Sequence, residues 1–188
     1  MPLDLHSTKS TEKTKSSLYT YEVGDKGPAG GWIFYDCDLD NASGNADGLE
    51  SSICGWRYLE AAPIDLMKST WGDDGFYGTK TDIGTGESNT LTISIEASEV
   101  RKNNAAIVCD SFTYGGYSDW FLPSKDELNL MYVNLLKAGL GGFEAKNYWS
   151  SSADVFSDNH AWAQNFGTGK QNSFLYGSTM FVRLIRAF

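Results

Sequence analysis

The segment after Pro123 constrains the fold of this 188-residue chain more than any other. Ser124-Lys125-Asp126-Glu127 has the spacing of a capping box, in which the Ser124 and Glu127 side chains each bond the other's backbone amide. Leu128, Met131, Tyr132, Leu135 and Leu136 then fall at i, i+3, i+4, i+7 and i+8, an apolar stripe on one helix face. Gly139 and Gly141-Gly142 stop it, so a helix is expected over residues 124–137. A stripe of this kind must be buried against something, and the flanking chain offers short strand-like pieces. Tyr21–Gly24 and Gly31–Tyr35 read as two extended pieces around the turn Gly27-Pro28-Ala29-Gly30, and Trp56–Ala61 as a third closed by Pro63. Two shorter helices are expected around 90–97 and 105–110, with Asn89 as the N-cap of the first. After Asn147 the pattern is extended to the end, with alternation around Trp162, Gln164 and Phe166 and a last strand over 181–188. Strands, then helices, then strands make an α+β class rather than alternating βαβ.

Residues 1–18 are rich in Ser, Thr and Lys and read as a flexible tail or tether, leaving 19–188 as the folded domain. The first residues lack the charged and apolar blocks of a secretion signal, and no run is long enough for a membrane span. If the protein is exported, a cell or virion surface is the expected location. Net charge is −9, and the first twenty residues hold +1 of it. So acidic a domain lacks the positive footprint of a nucleic-acid platform. The cysteines, Cys37, Cys54 and Cys109, have no metal-ligand spacing; a Cys37–Cys54 disulfide and three reduced thiols are both open, the latter favoured.

Candidates for catalysis are few. His6 lies in the tail, and His160 has no nucleophile or orienting acid at recognisable spacing. Gly84-Thr85-Gly86 and Gly115-Gly116 lack the Lys-Ser sequel of a phosphate loop. Asp36, Asp38, Asp40, Asn41, Asn45 and Asp47 have the oxygen chemistry of a calcium loop but not its glycine and glutamate pattern, so a solvated acidic loop is expected. Trp32, Trp56, Trp120 and Trp149 are expected to supply core area. No cofactor is expected, and no enzymatic activity.

Several blocks occur together in order: Val23-Gly24-Asp25, Gly27-Pro28-Ala29-Gly30-Gly31, Trp56-Arg57-Tyr58-Leu59-Glu60-Ala61-Ala62-Pro63, and Gly116-Tyr117-Ser118-Asp119-Trp120-Phe121-Leu122-Pro123-Ser124. Tyr148-Trp149-Ser150-Ser151-Ser152, Gln164-Asn165-Phe166 and Ile185-Arg186-Ala187-Phe188 follow. Over about 19–188 this resembles the Lcl C-terminal domain family, named after the C-terminal domain of a bacterial collagen-like adhesin. The resemblance implies a C-type-lectin-like fold, with mixed and antiparallel strands, two flanking helical regions, long loops and the termini paired as strands. That fold hosts protein binding, glycan binding and, in formylglycine-generating relatives, oxidation. The calcium motifs of sugar-binding C-type lectins and a C-terminal reactive cysteine pair are both missing.

The C-terminal region is also similar to the variable proteins of diversity-generating retroelements, in which template adenines are randomised. An AAC or AAT codon so treated reaches a set without Lys, Glu, Gln, Met or Trp. Asp154, Val155, Phe156, Ser157, Asp158, Asn159, His160, Ala163, Gly167, Thr168, Asn172, Ser173, Phe174, Leu175, Tyr176, Gly177, Ser178, Thr179 and Phe181 all belong to that set. Trp162, Gln164, Lys170, Gln171 and Met180 do not and are expected to be fixed framework or differently encoded. From Ser150 to Thr179, thirty residues hold three charges, Asp154, Asp158 and Lys170. Aromatic anchors among small polar residues with little charge are the composition of evolved contact surfaces.

The leading expectation is therefore a non-enzymatic display domain. Its face, about 153–181, would use Phe156, His160, Phe174 and Tyr176 as anchors and Asp154, Asp158, Asn172 and Ser173 as hydrogen-bonding groups. The expected partner is a protein or surface glycan on another cell. A glycan-binding adhesin, a structural stalk-tip domain and an oxidase using Cys109 are the rivals.

Overall fold

The computed structural model describes residues 20–41, 55–75, 77–96 and 104–188, apart from the side chains of Asp40, Asn41 and Asp110. The expected tail, Asn45, Asp47 and Cys54 lie outside the described residues. The elements in chain order are β1 (Trp32–Asp36), α1 (Cys37–Asn41), β2 (Tyr58–Ala61), β3 (Leu66–Ser69), α2 (Gly86–Glu96), α3 (Ala105–Asp110) and α4 (Lys125–Asn134), which runs into a 3-10 turn at Leu136–Ala138. Then follow β4 (Asn147–Ala153), β5 (His160–Asn165), β6 (Gln171–Leu175), β7 (Met180–Val182) and β8 (Ile185–Ala187). The class is α+β. No helix among the described residues is long and apolar enough to cross a membrane.

Two sheets form. One is antiparallel with order β1-β2-β8; the other has order β3-β7-β4-β5-β6, antiparallel except for the parallel β4–β7 pair. The C-terminal strand thus joins the sheet of β1, but β2 lies between them. The single last strand expected over 181–188 is two, divided between the sheets. Between them lies Arg183, whose guanidinium is buried and bonds Asp65 at 2.6 Å and the carbonyls of Ala62 and Gly141 at 3.1 and 2.8 Å. Donors on one side chain thus hold the chain where it crosses from sheet to sheet.

The capping box forms as spaced: the Glu127 amide donates to Ser124 Oγ at 3.2 Å, and the Ser124 amide to the Glu127 carboxylate at 2.7 Å. Leu128, Met131 and Leu135 are buried with Phe34, Leu59, Tyr148, Phe166 and Ile185 on one face of the larger sheet. A second core, built on Trp71, Trp120, Trp149, Ile93, Leu122 and Tyr176, fills the other side. Trp120 and Trp149 are core as expected; Trp32 and Trp56 only pack at a core margin, half-buried. The first of the short helices begins at Gly86, earlier than expected, and Asn89 lies inside it. Its side chain bonds the backbone of Lys80 and Ser151 Oγ, so it links three segments rather than capping one. The capping asparagine is Asn104, whose oxygen accepts the Ile107 amide at 2.9 Å at the start of α3. Tyr21–Gly24 forms no strand: the Asp25 amide closes a turn on the Glu22 carbonyl, and the Gly24 amide bonds the Ile33 carbonyl of β1.

The favoured expectation of three reduced thiols is corrected: Cys37, fully buried directly after β1, is disulfide-bonded. Cys109 is a buried thiol whose Sγ–H donates to the Ala105 carbonyl. Gly31 and Gly27 answer to one buried carboxylate. A Cβ on either would overlap Glu60, and on Gly31 also the Ala61 carbonyl. Glu60 accepts the Gly31 amide at 2.7 Å and the Ala29 amide at 3.3 Å, so the Gly-Pro-Ala-Gly-Gly turn wraps it.

Candidate functional site

The larger sheet ends in the β5–β6 hairpin, and its register sorts the side chains. His160 lies opposite Leu175, Ala161 opposite Phe174, Trp162 opposite Ser173, Ala163 opposite Asn172 and Gln164 opposite Gln171. Directly opposed residues share a face. Ala161, Ala163 and Phe174 therefore turn to the Trp149 core; Phe174 is half-buried, its ring 6.5 Å from that of Trp149. The other row faces α4. Gln164 and Gln171 are tied to it, through Asn129 at 2.9 Å and the Lys125 carbonyl at 2.9 Å. Trp162 comes next, with Lys125 Nζ 4.4 Å from its ring centroid. Beyond the first turn of α4 the row opens to solvent at His160 and Leu175, the latter 56% exposed.

Above this opening sits the β4–β5 loop. Val155 and Phe156 stand out from it, Phe156 being 94% exposed. The loop itself is fixed. Asp154 is buried and accepts the Phe156 amide at 3.1 Å. Burial pushes its carboxyl up, but bonds from Ser173, the Phe156 amide and Ser157, with the nearby His160, outweigh this and hold it below the usual range. Asn159 takes a left-handed φ of 56° and its side chain accepts the Gly75 amide at 2.9 Å, while its carbonyl accepts the Tyr176 amide at 2.8 Å. One ring nitrogen of His160, Nδ1, is 2.6 Å from the Asp158 carbonyl.

Two concavities flank the loop. One, of about 220 Å³, is lined by Gly75, Tyr77, Asp154, Ser157, Asn159 and Tyr176, among others. The second is a groove of about 400 Å³ between Lys80–Asp82, Lys125, Val155, Phe156 and Trp162. The serine run of β4 sets its walls. Ser152 Oγ donates to the Lys80 carbonyl at 2.7 Å and accepts the Lys125 amide at 3.0 Å, joining the 79–82 segment to the start of α4. Ser150 Oγ donates to the Trp162 carbonyl at 2.7 Å. Three buried serines in a strand are thus hydrogen-bonded spacers between the groove's parts.

With this geometry in view, the family model of the Lcl C-terminal domain matches residues 66–186. The chain belongs to the Lcl C-terminal domain family. No curated protein sequence matches it. The matched span runs from β3 into β8 and contains every residue of the groove, whereas the Val23 and Gly27 blocks and β1 precede it.

Within this Lcl C-terminal domain the expected contact residues divide. Val155, Phe156, Ser157, Asp158, Asn159, His160, Ser173, Leu175, Gly177, Ser178 and Thr179 gather at one end of the hairpin with at least partial exposure. Asn172 is exposed on β6, while Gly167 and Thr168 are exposed at the hairpin tip, at the far end of both strands. Five expectations are corrected as outward contacts, the first being Phe174, which turns to the Trp149 core. Tyr176 is buried, stacked on Trp71 at 4.4 Å and edge-on to Tyr77 at 5.5 Å, with burial pushing its hydroxyl up to about 12. Ala163 is buried because the β5 alternation turns it to the core, and Asp154 because it ties the loop to β6. Phe181 is half-buried on β7, with its ring 5.4 Å from Tyr148, and does not reach the face.

The groove also has residues that sequence reasoning missed. The codon set marks Trp162 only as a fixed or differently encoded position, yet the small alanines on either side of it signal that β5 packs its other face and turns Trp162 to the groove. Lys80, Thr81 and Asp82 sit in a loop with no local signal; bonds of Lys80 to β4 and α2 and of the Thr81 carbonyl to the Asp126 amide of α4 hold them there. Of the calcium-loop candidates, Asp36 accepts from Arg57 at 3.2 and 3.3 Å, and Asp38 pairs with the same guanidinium at 3.2 Å.

Proposed function

We propose that this Lcl C-terminal domain is a non-enzymatic binding domain of the C-type-lectin-like fold. It presents the β4–β5 loop, the open end of the β5–β6 hairpin and the Lys80–Trp162 groove to a protein ligand on another cell surface. The observation that supports this most directly is Phe156, a large apolar side chain left almost wholly in water on a loop whose backbone is hydrogen-bonded on both flanks. Transfer of such a ring from water into a partner is worth about 1.5–3 kcal/mol, and Val155 and Leu175 enlarge the apolar area. Rigid backbone beneath exposed side chains also lowers the entropy lost on binding.

The same arrangement supports a variable protein of a diversity-generating retroelement. Val155, Phe156, Asp158, His160, Asn172 and Leu175 all belong to the codon set reachable from AAC or AAT, and their exposure lets identity change without loss of packing. Replacing Val155, Phe156, Asp158, His160 and Leu175 together should move the melting temperature by no more than about 3 °C while abolishing capture of a cell-surface ligand. Collapse of the fold would refute a display role. In the neighbouring DNA, a reverse transcriptase gene beside an adenine-substituted near-copy of these codons is the expected arrangement.

A further inference from the structure

The smaller concavity beside the β4–β5 loop, of about 220 Å³, is lined on one side by charge of a single sign. Asp154 and Asp158 are its charged groups, and no lysine or arginine is among its lining residues. Against the cost of burial, bonds from Ser173, the Phe156 amide and Ser157 keep Asp154 ionised. Asp158 is exposed, and its carboxylate has no hydrogen-bond or ion-pair partner among the described residues.

Tyr176 points to a ligand independently. It is 3% exposed, with its ring face taken up by Trp71, yet it lines the concavity and its hydroxyl has no hydrogen-bond partner among the described residues. Burial first, then Tyr77 and the Asp154 charge, push that hydroxyl up, so it stays protonated within the field of Asp154. Buried hydroxyls normally find a partner, and this one is left for a group that enters the concavity.

The lining narrows what that group is. An anion meets like charge. A metal ion is poorly served: Asp154 already accepts three bonds, no group of three or more His, Cys, Asp or Glu able to hold a metal occurs among the described residues, and calcium takes about six to eight oxygens. Ala153 and Val155 add an apolar strip beside the carboxylates, which matches the methylene stem of a long basic side chain.

We propose that this concavity takes a basic side chain, lysine or arginine, of the protein that the β4–β5 face binds. Its charged nitrogen donates to Asp154, Asp158 and Tyr176 Oη while its stem lies along Ala153 and Val155. This rests on the reading of that face as a protein-contact surface and names what the partner presents. Lys80 and Lys125 stand in the groove on the other side of the loop, so opposite charges flank Phe156 and fix the partner's orientation.

The test is heteronuclear NMR titration of the full chain with n-butylammonium and n-propylguanidinium, the ends of the two side chains. Tetramethylammonium, a cation without donors, and calcium are the comparisons. Expected is saturable millimolar binding of at least one of the first two, with shifts centred on Asp154, Asp158 and Tyr176; the tighter probe names the partner's residue. Tyr176→Phe removes only the unpartnered hydroxyl, so it should weaken binding about tenfold while the melting temperature stays within about 2 °C of the parent. Asp158→Asn should weaken it about two- to fivefold. No saturation below about 50 mM, equal binding of tetramethylammonium, tighter calcium binding at these residues, or parent affinity in Tyr176→Phe would each overturn the proposal. Absent probe binding with capture of a cell-surface ligand intact refutes the cation site and spares the display reading. Probe binding in a chain that captures no cell-surface ligand refutes the display reading and spares the cation site.

Discussion

Phe156 and Tyr176 are both aromatic, both lie in the low-charge C-terminal stretch and have opposite roles. Phe156 touches little and stands in water; Tyr176 stacks on Trp71 inside the larger core. Truncation to alanine should separate them in urea unfolding. Phe156→Ala is expected to stay within about 0.5 kcal/mol of the parent, since an exposed side chain leaves no cavity. Tyr176→Ala is expected to lose about 3–5 kcal/mol, from lost apolar transfer and a void between Trp71 and Tyr77. No local pattern distinguished the two, because Phe174, Leu175 and Tyr176 are consecutive and a two-residue period does not say which face is the core. The register with His160 and Ala161 decides that. Glycine is the opposite case: the run around Pro28 was legible as a turn, but only the buried Glu60 carboxylate explains why Gly27 and Gly31 admit no Cβ.

Among the elements, α4 was the most legible, since a capping box and an apolar stripe are local properties and both formed. What the pattern did not reveal is the environment of its cap. Glu127 is buried, and burial pushes its carboxyl up to about 7 even though the amides of Ser124 and Gly84 donate to it. Between its ordinary value of 4.5 and about 7 the folded chain holds a proton that the unfolded chain has released. Stability therefore falls as pH rises through that window, by up to about 1.4 kcal/mol per pH unit, and levels off above it. Glu127→Gln should be less stable than the parent near pH 5, because one carboxamide group cannot accept at both positions, and its stability should be flat across the window. Chemical unfolding at several pH values between 5 and 8 measures both; an unchanged slope in the variant would assign the pH dependence to another group. β3 and the division between β7 and β8 were not legible. Four- and three-residue strands have too few residues for a period to stand out, and their pairing partners are distant in sequence.

At the scale of the whole molecule, the two sheets are held together where the chain passes between them at Arg183 and Leu184. The Arg183 guanidinium bonds Asp65, the Ala62 and Gly141 carbonyls, and lies 4.2 Å from the Phe143 ring, while Tyr148 donates to the same Asp65 at 2.7 Å. Arg183→Ala leaves Asp65 with Tyr148 but without its charge partner and unpairs two carbonyls, and should cost about 3–5 kcal/mol. Tryptophan fluorescence and far-ultraviolet circular dichroism should still report one coincident transition, since both cores share β4 as a wall. By itself the sequence determined the α+β class and the helix after Pro123. These follow from local spacing, which is read in the few residues that make it. Only the tertiary structure decided that Tyr176, Ala163 and Asp154 face inward and that Trp162 joins Lys80 and Lys125 at the groove. Each of those depends on strand register and on contacts between distant segments, and side-chain composition alone does not specify which segment lies opposite which.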